Sequence, residues 1–97
     1  MTGNHKLSAL LKGRTLTTVS SESTEAVLSF GDGSSMTVQT GGDVTGGTPG
    51  AVVHAVRQAD TTLILDFEGG SDMQITTAEA TSSVMVRDRS HVLEYAD

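Results

Sequence analysis

Residues 13–40 and 50–77 match each other without a gap at a constant offset of 37 residues. The first segment reads GRTLTTVSSESTEAVLSFGDGSSMTVQT and the second GAVVHAVRQADTTLILDFEGGSDMQITT. Gly13 falls on Gly50, Val19 on Val56, Leu28 on Leu65 and Phe30 on Phe67. Gly33 falls on Gly70, Ser34 on Ser71, Met36 on Met73 and Thr40 on Thr77. Leu16/Val53 and Val38/Ile75 are apolar for apolar, and Ala26/Leu63 is too, with a change of size. Both phenylalanines of the chain and two of its four methionines fall in register, which composition alone would not arrange. Identity at turn and core positions together marks a duplicated structural unit. Two copies are fewer than the about three a solenoid needs. Two β-meanders that close on each other, as a small antiparallel barrel or a sandwich, suit the number better.

Within each unit the hydrophobic period is two. Ala26, Leu28 and Phe30 alternate with Val27 and Ser29, and Leu63, Leu65 and Phe67 alternate with Ile64 and Asp66. That spacing puts one face of a strand in a core. GDGS after Phe30 and EGGS after Phe67 are tight-turn sequences. Met36, Val38, Thr40 and Met73, Ile75, Thr77 then alternate again. Each copy therefore reads strand, short loop, strand, hairpin, strand. A last hairpin follows, with Asp88-Arg89-Ser90-His91 as its turn. Eight strands are expected, at about 15–20, 25–30, 35–40, 51–57, 61–67, 72–76, 83–87 and 91–95.

The whole chain, 1–97, reads as one all-β domain: unit one 13–40, a flexible connector 41–49, unit two 50–77 and a C-terminal hairpin 83–95. The connector holds the chain's single proline, Pro49. Leu7, Leu10 and Leu11 sit at i, i+3, i+4 spacing, which suits a short N-terminal helix ended by Gly13. A frayed tail or an extra strand is the competing reading of that segment.

Composition bounds the function. Twelve acidic residues against six Lys and Arg give a net charge of −6. The bases, Lys6, Lys12, Arg14, Arg57, Arg87 and Arg89, are scattered, so no basic face for nucleic acid is expected. With no cysteine, a disulfide framework and any thiolate metal site are excluded. No run approaches the ~18 apolar residues of a membrane span. The N-terminal apolar stretch is too short for a signal sequence, so a cytoplasmic protein is expected.

No catalytic or cofactor-binding residue is singled out. Asp66, Glu68 and Asp72 surround the second hairpin turn, and carboxylates on a glycine-rich turn can ligate a calcium ion. Their spacing is not that of an EF-hand loop, and the first copy supplies only Asp32. They are weak metal candidates, with a solvated acidic turn as the plainer reading. His5, His54 and His91 lie far apart and form no paired-ligand spacing. No serine sits in a nucleophile elbow. GGDVTGG lacks the Lys and Ser/Thr of a phosphate-binding loop. Arg87, Asp88 and Arg89 could pair with nearby acids or meet an anionic partner.

Val27, Ile64 and Met85 point away from the expected core. They would form one apolar patch if their strands are neighbours, covered by the N-terminal leucines or by a second protomer. The first function expected is therefore a non-enzymatic binding or protein-interaction module. Next come a structural subunit that oligomerises, such as a phage or secretion component, and an acidic inhibitor of a nucleic-acid-binding protein. A small hydrolase or metal-binding enzyme comes last.

Overall fold

The computed structural model describes residues 2–80 and 83–96. Its elements are β1 (Thr2–Gly3), α1 (His5–Leu11), β2 (Leu16–Ser21), β3 (Glu25–Phe30) and β4 (Ser35–Gly46), followed by β5 (Val53–Ala59), β6 (Thr62–Phe67), β7 (Asp72–Thr77), β8 (Val84–Arg87) and β9 (Leu93–Ala96). Every pairing is antiparallel. The strands follow the order β1-β5-β6-β7-β4-β3-β2, with β8 pairing the first half of β4 and β9 lying outside β8. The ladder ends at β1 and β2 and does not close. The starts of β2 and β5 still touch, through one bridge between Thr15 and Val52. Leu16 N–H donates to the Ala51 carbonyl at 2.8 Å and Val53 N–H to the Arg14 carbonyl at 2.9 Å.

The alternating sequence dictates the burial. In β3 Ala26, Leu28 and Phe30 are buried and the residues between are half-exposed. Leu63, Leu65, Phe67, Met73 and Ile75 are buried at the matching places of β6 and β7. Both phenylalanines lie in one cluster with Met36, Val38, Val53, Val56, Val84, Val86 and Tyr95. Truncating either to alanine removes contacts worth about 3–5 kcal/mol.

The two meanders also share their local bonds. Phe30 N–H donates to the Ser34 carbonyl at 2.9 Å, and Phe67 N–H to the Ser71 carbonyl at 2.9 Å. Gly31 N–H reaches the Thr15 carbonyl and Glu68 N–H the Val52 carbonyl, each at 2.8 Å. The register shifts between Leu16 and Thr18 in one meander and between Val53 and Ala55 in the other. Thr40 faces Thr77 where β4 meets β7.

Helix α1 is held by Asn4. The Asn4 side chain accepts the Leu7 N–H at 3.0 Å as the N-cap, and its amide donates to Gln58 Oε1 and to the Tyr95 hydroxyl, both at 3.0 Å. Such a cap contributes about 1 kcal/mol. Leu7 and Leu11 are fully buried. They join the interior cluster and do not cover Val27, Ile64 and Met85, contrary to the expectation from sequence. The i, i+4 spacing fixed which helix face is apolar, but not which side of the sheet receives it.

Two further expectations are corrected. Residues 41–46, read as a flexible connector, continue β4 as a strand that pairs with β7: Val44 faces Ile75, Thr45 faces Gln74 and Gly46 faces Met73. Gly46 serves a close approach of two strands and not flexibility. A Cβ on Gly46, whose φ is +82°, would collide with the Asp72 carbonyl. The strand β1 was not expected, since two residues carry no periodicity.

Thr40 Oγ1 is a buried hydroxyl with no hydrogen-bond partner among the described residues, whereas its counterpart Thr77 Oγ1 donates to the Glu79 carbonyl at 2.7 Å. An unpaired buried hydroxyl is a cost that an isosteric methyl removes. Thr40→Val is expected to raise stability by about 1 kcal/mol and Thr77→Val to lower it by about 1 kcal/mol, read by urea denaturation. Equal effects at the two positions would contradict the assigned bonding.

Candidate functional site

The two β-hairpin turns occupy equivalent places in the meanders, yet their surroundings differ. At the first, Asp32 accepts the Ser34 N–H at 2.9 Å and the Ser34 hydroxyl as well. Arg14 Nη1 donates to Ser34 Oγ at 2.8 Å. The Arg14 guanidinium also holds both Glu94 oxygens from β9 at 3.2 Å, and its Nε lies 3.7 Å from Asp32 Oδ2. Arg14 is largely buried, with 14% of its side chain exposed, so the pairing is less screened than a surface ion pair. One guanidinium thus fastens the first hairpin to the last strand. The two Ser34 donors, and after them the charge of Arg14, hold the Asp32 carboxyl below the ordinary carboxylate value, with partial burial opposing.

The β8–β9 turn folds over the same hairpin. Asp88 Oδ1 accepts the N–H groups of Ser90 at 2.8 Å and Val92 at 3.0 Å, which builds the turn. Arg87 Nη1 donates to the His91 carbonyl at 3.3 Å. Arg89 lies on Gly33: a Cβ there, at φ +88°, would come within 2.9 Å of the Arg89 Cβ. The charged residues of this turn therefore serve its own architecture.

Among the described residues the second hairpin has no such cover. It borders an open hollow of about 470 Å³ lined by His54, Asp66, Phe67, Glu68, Gly69, Gly70 and Ser71. Of the three metal candidates, Asp66 is held by Arg57, whose Nε and Nη2 donate to its two oxygens at 2.7 and 2.8 Å. That hydrogen-bonded carboxylate raises the Arg57 pKa further above its ordinary value. Asp72 faces Asp66 across the ladder, and Glu68 is exposed in the turn. Among the described residues no group of three or more His, Asp or Glu is placed to hold a metal ion. His54 borders the hollow and is exposed, while His5 stands on α1 and His91 in the β8–β9 turn.

The outer-face residues are distributed as follows. Val27 and Met85 lie on either side of Thr37 in one cross-strand row. Ile64 lies in the other ladder, between Arg57 and Gln74, and is buried, so the three do not form the single apolar patch expected from the sequence. The large hydrophobic side chains that stand out are instead Val92, 59% exposed, and Leu93, 48% exposed, at the start of β9. Sequence reasoning singled out neither these two as exposed nor Arg14 as a hub. The signal available was the repeat itself. Arg14 falls on Ala51 and Asp32 on Gly69, so the chain departs from its own pattern where β9 docks.

Asp32 gives a pH prediction. Its folded-state pKa is depressed from 3.8. Its contribution to stability is therefore present above that value and is lost as pH falls through the folded pKa. Ser34→Ala is expected to lower stability at pH 7 and to make it fall less steeply below about pH 4, read by denaturant melts along a pH series. An acid limb as steep as that of the wild type would contradict the assignment.

Among the described residues no helix is long and apolar enough to cross a membrane. Compared with known protein families, curated proteins and solved structures, the chain shows no match.

Proposed function

We propose that the chain is a non-enzymatic protein-interaction module that docks its partner on the β8–β9 hairpin, in the cytoplasm and without a cofactor. The exposure of the consecutive residues Val92 and Leu93 carries this reading. The other large aliphatics described are buried or half-buried, and each of these two leaves apolar area that a partner can remove from water, at up to about 1.5–3 kcal/mol per side chain. The hairpin is a firm platform, because Arg14 clamps Glu94 and Tyr95 is buried beside them. A net charge of −6 favours a protein over a nucleic acid as the partner. The duplication proposed from the sequence fits this division of labour. Two copies of one unit build the interior, and the segment outside the repeat carries the interaction.

The test is affinity capture from the native host with the wild type and with Val92→Ser/Leu93→Ser. A defined protein retained by the wild type and lost by the double variant, with circular dichroism unchanged, is expected. The same captured protein with both would contradict docking on this hairpin.

A further inference from the structure

The outer edge of β5 is closed within the chain, and the equivalent edge of β2 is open. On β5 the backbone groups of Val56 and Gln58 point away from β6. Val56 N–H donates to Ser8 Oγ at 2.8 Å, and its carbonyl accepts the Asn4 N–H at 3.0 Å and the Ser8 hydroxyl at 3.0 Å. Gln58 pairs with Thr2 of β1. The repeat places Val19 and Ser21 of β2 at the corresponding positions.

Their direction follows from the hairpin that joins β2 to β3. Glu22 N–H donates to the Glu25 carbonyl at 2.8 Å, so Glu22 faces β3. Antiparallel strands bond through alternate residues. Ser20 therefore also faces β3, while the N–H and C=O groups of Val19 and Ser21 face outward. β2 ends the ladder, and among the described residues nothing bonds to those groups from the open side. Residues 48–51 cover the edge at its start, where Gly50 N–H reaches the Leu16 carbonyl at 2.7 Å, and Gly47 lies against the Val19 side chain, leaving the Val19 and Ser21 backbone groups without a bonding partner among the described residues.

Natural edge strands carry charge, proline or strong twist against pairing with another chain. From Thr15 to Ser21 the segment reads TLTTVSS, with no charge and no proline. Its bulge lies at the covered end, between Leu16 and Thr18. We propose that this edge is the docking site for a second copy of the chain, joined β2 to β2 across a two-fold axis at Ser20. In that register the outward groups of Val19 meet those of Ser21 of the second copy and the reverse, making four hydrogen bonds. Ser20 faces Ser20, and Glu22 faces Thr18, so no like charges are opposed despite the net charge of −6. Equivalent segments of this chain already meet in this antiparallel manner, Thr40 on Thr77 and Thr15 on Val52. The site is separate from the β8–β9 hairpin and does not depend on the function proposed there.

Sedimentation equilibrium over a concentration series tests it, with amide hydrogen exchange on the same samples. The 10.0 kDa chain is expected to associate to twice that mass, with the Val19 and Ser21 amides gaining protection as the dimer forms. Ser21→Pro removes one outward donor from each copy and leaves the β2–β3 bonds in place, so it should weaken association about tenfold to a hundredfold. Ser20→Lys and Ser20→Glu should each be monomeric alone and should associate when mixed, which a folding defect would not produce. Val92→Ser/Leu93→Ser should dimerise like the wild type. A wild type monomeric at every concentration overturns the proposal. So does a dimer in which the Val19 and Ser21 amides stay unprotected, or protection of those amides only by a different protein.

Discussion

Each meander has one apolar face, and neither can remove that face from water alone. A sheet that is apolar on one face must bury that face against another element. Here each meander packs on the other, and the cluster containing both Phe30 and Phe67 is the result. The remaining features follow from that constraint. β4 must be long, because its first half pairs with β3 and β8 and its second half with β7, so it joins the two ladders. Helix α1 adds Leu7 and Leu11 to the same interior, and β9 adds Tyr95. Asn4 binds the last two additions together through its bond to the Tyr95 hydroxyl.

Equivalence in the core and difference at the rim belong to separate layers of the sequence. Positions that point inward match across the 37-residue offset because both meanders face one shared space. Rim positions are free to diverge, and there the chain becomes asymmetric. Arg14, Asp32 and Glu94 fasten the first hairpin to β9, while the second hairpin, with Ala51 and Gly69 at the matching places, stays open. β1 and α1 close the edge of β5 and leave that of β2 free. Both proposed contact surfaces arise where one half has an addition that the other lacks.

How much of this was legible depended on whether a signal was periodic. The period of two around Phe30 and Phe67, with a glycine turn after each, located β3, β4, β6 and β7 to within a residue or two at most boundaries, because alternation and burial are the same fact seen twice. The second half of β4 was hidden. Its glycines carry no alternation, and their service to a close backbone approach at Asp72 is visible only in three dimensions. The helix spacing of Leu7 and Leu11 named a face but not its destination. At the candidate sites, the turn acids were legible as residue types. The pairing of Asp66 with Arg57, and the reach of Arg14 across 80 residues to Glu94, belong to tertiary structure. The exposure of Val92 and Leu93 turns on where the β8–β9 turn falls, which composition does not specify.

If the shared interior is the foundation, damage in one meander must be felt in the other. Native-state hydrogen exchange on Phe30→Ala measures this directly. Amides of Leu65 and Ile75 in the second meander are expected to lose protection together with those of Leu28 and Val38 in the first, at one common opening free energy. Loss of protection confined to β2, β3 and β4, with β6 and β7 as protected as in the wild type, would show two independently stable halves and contradict the account.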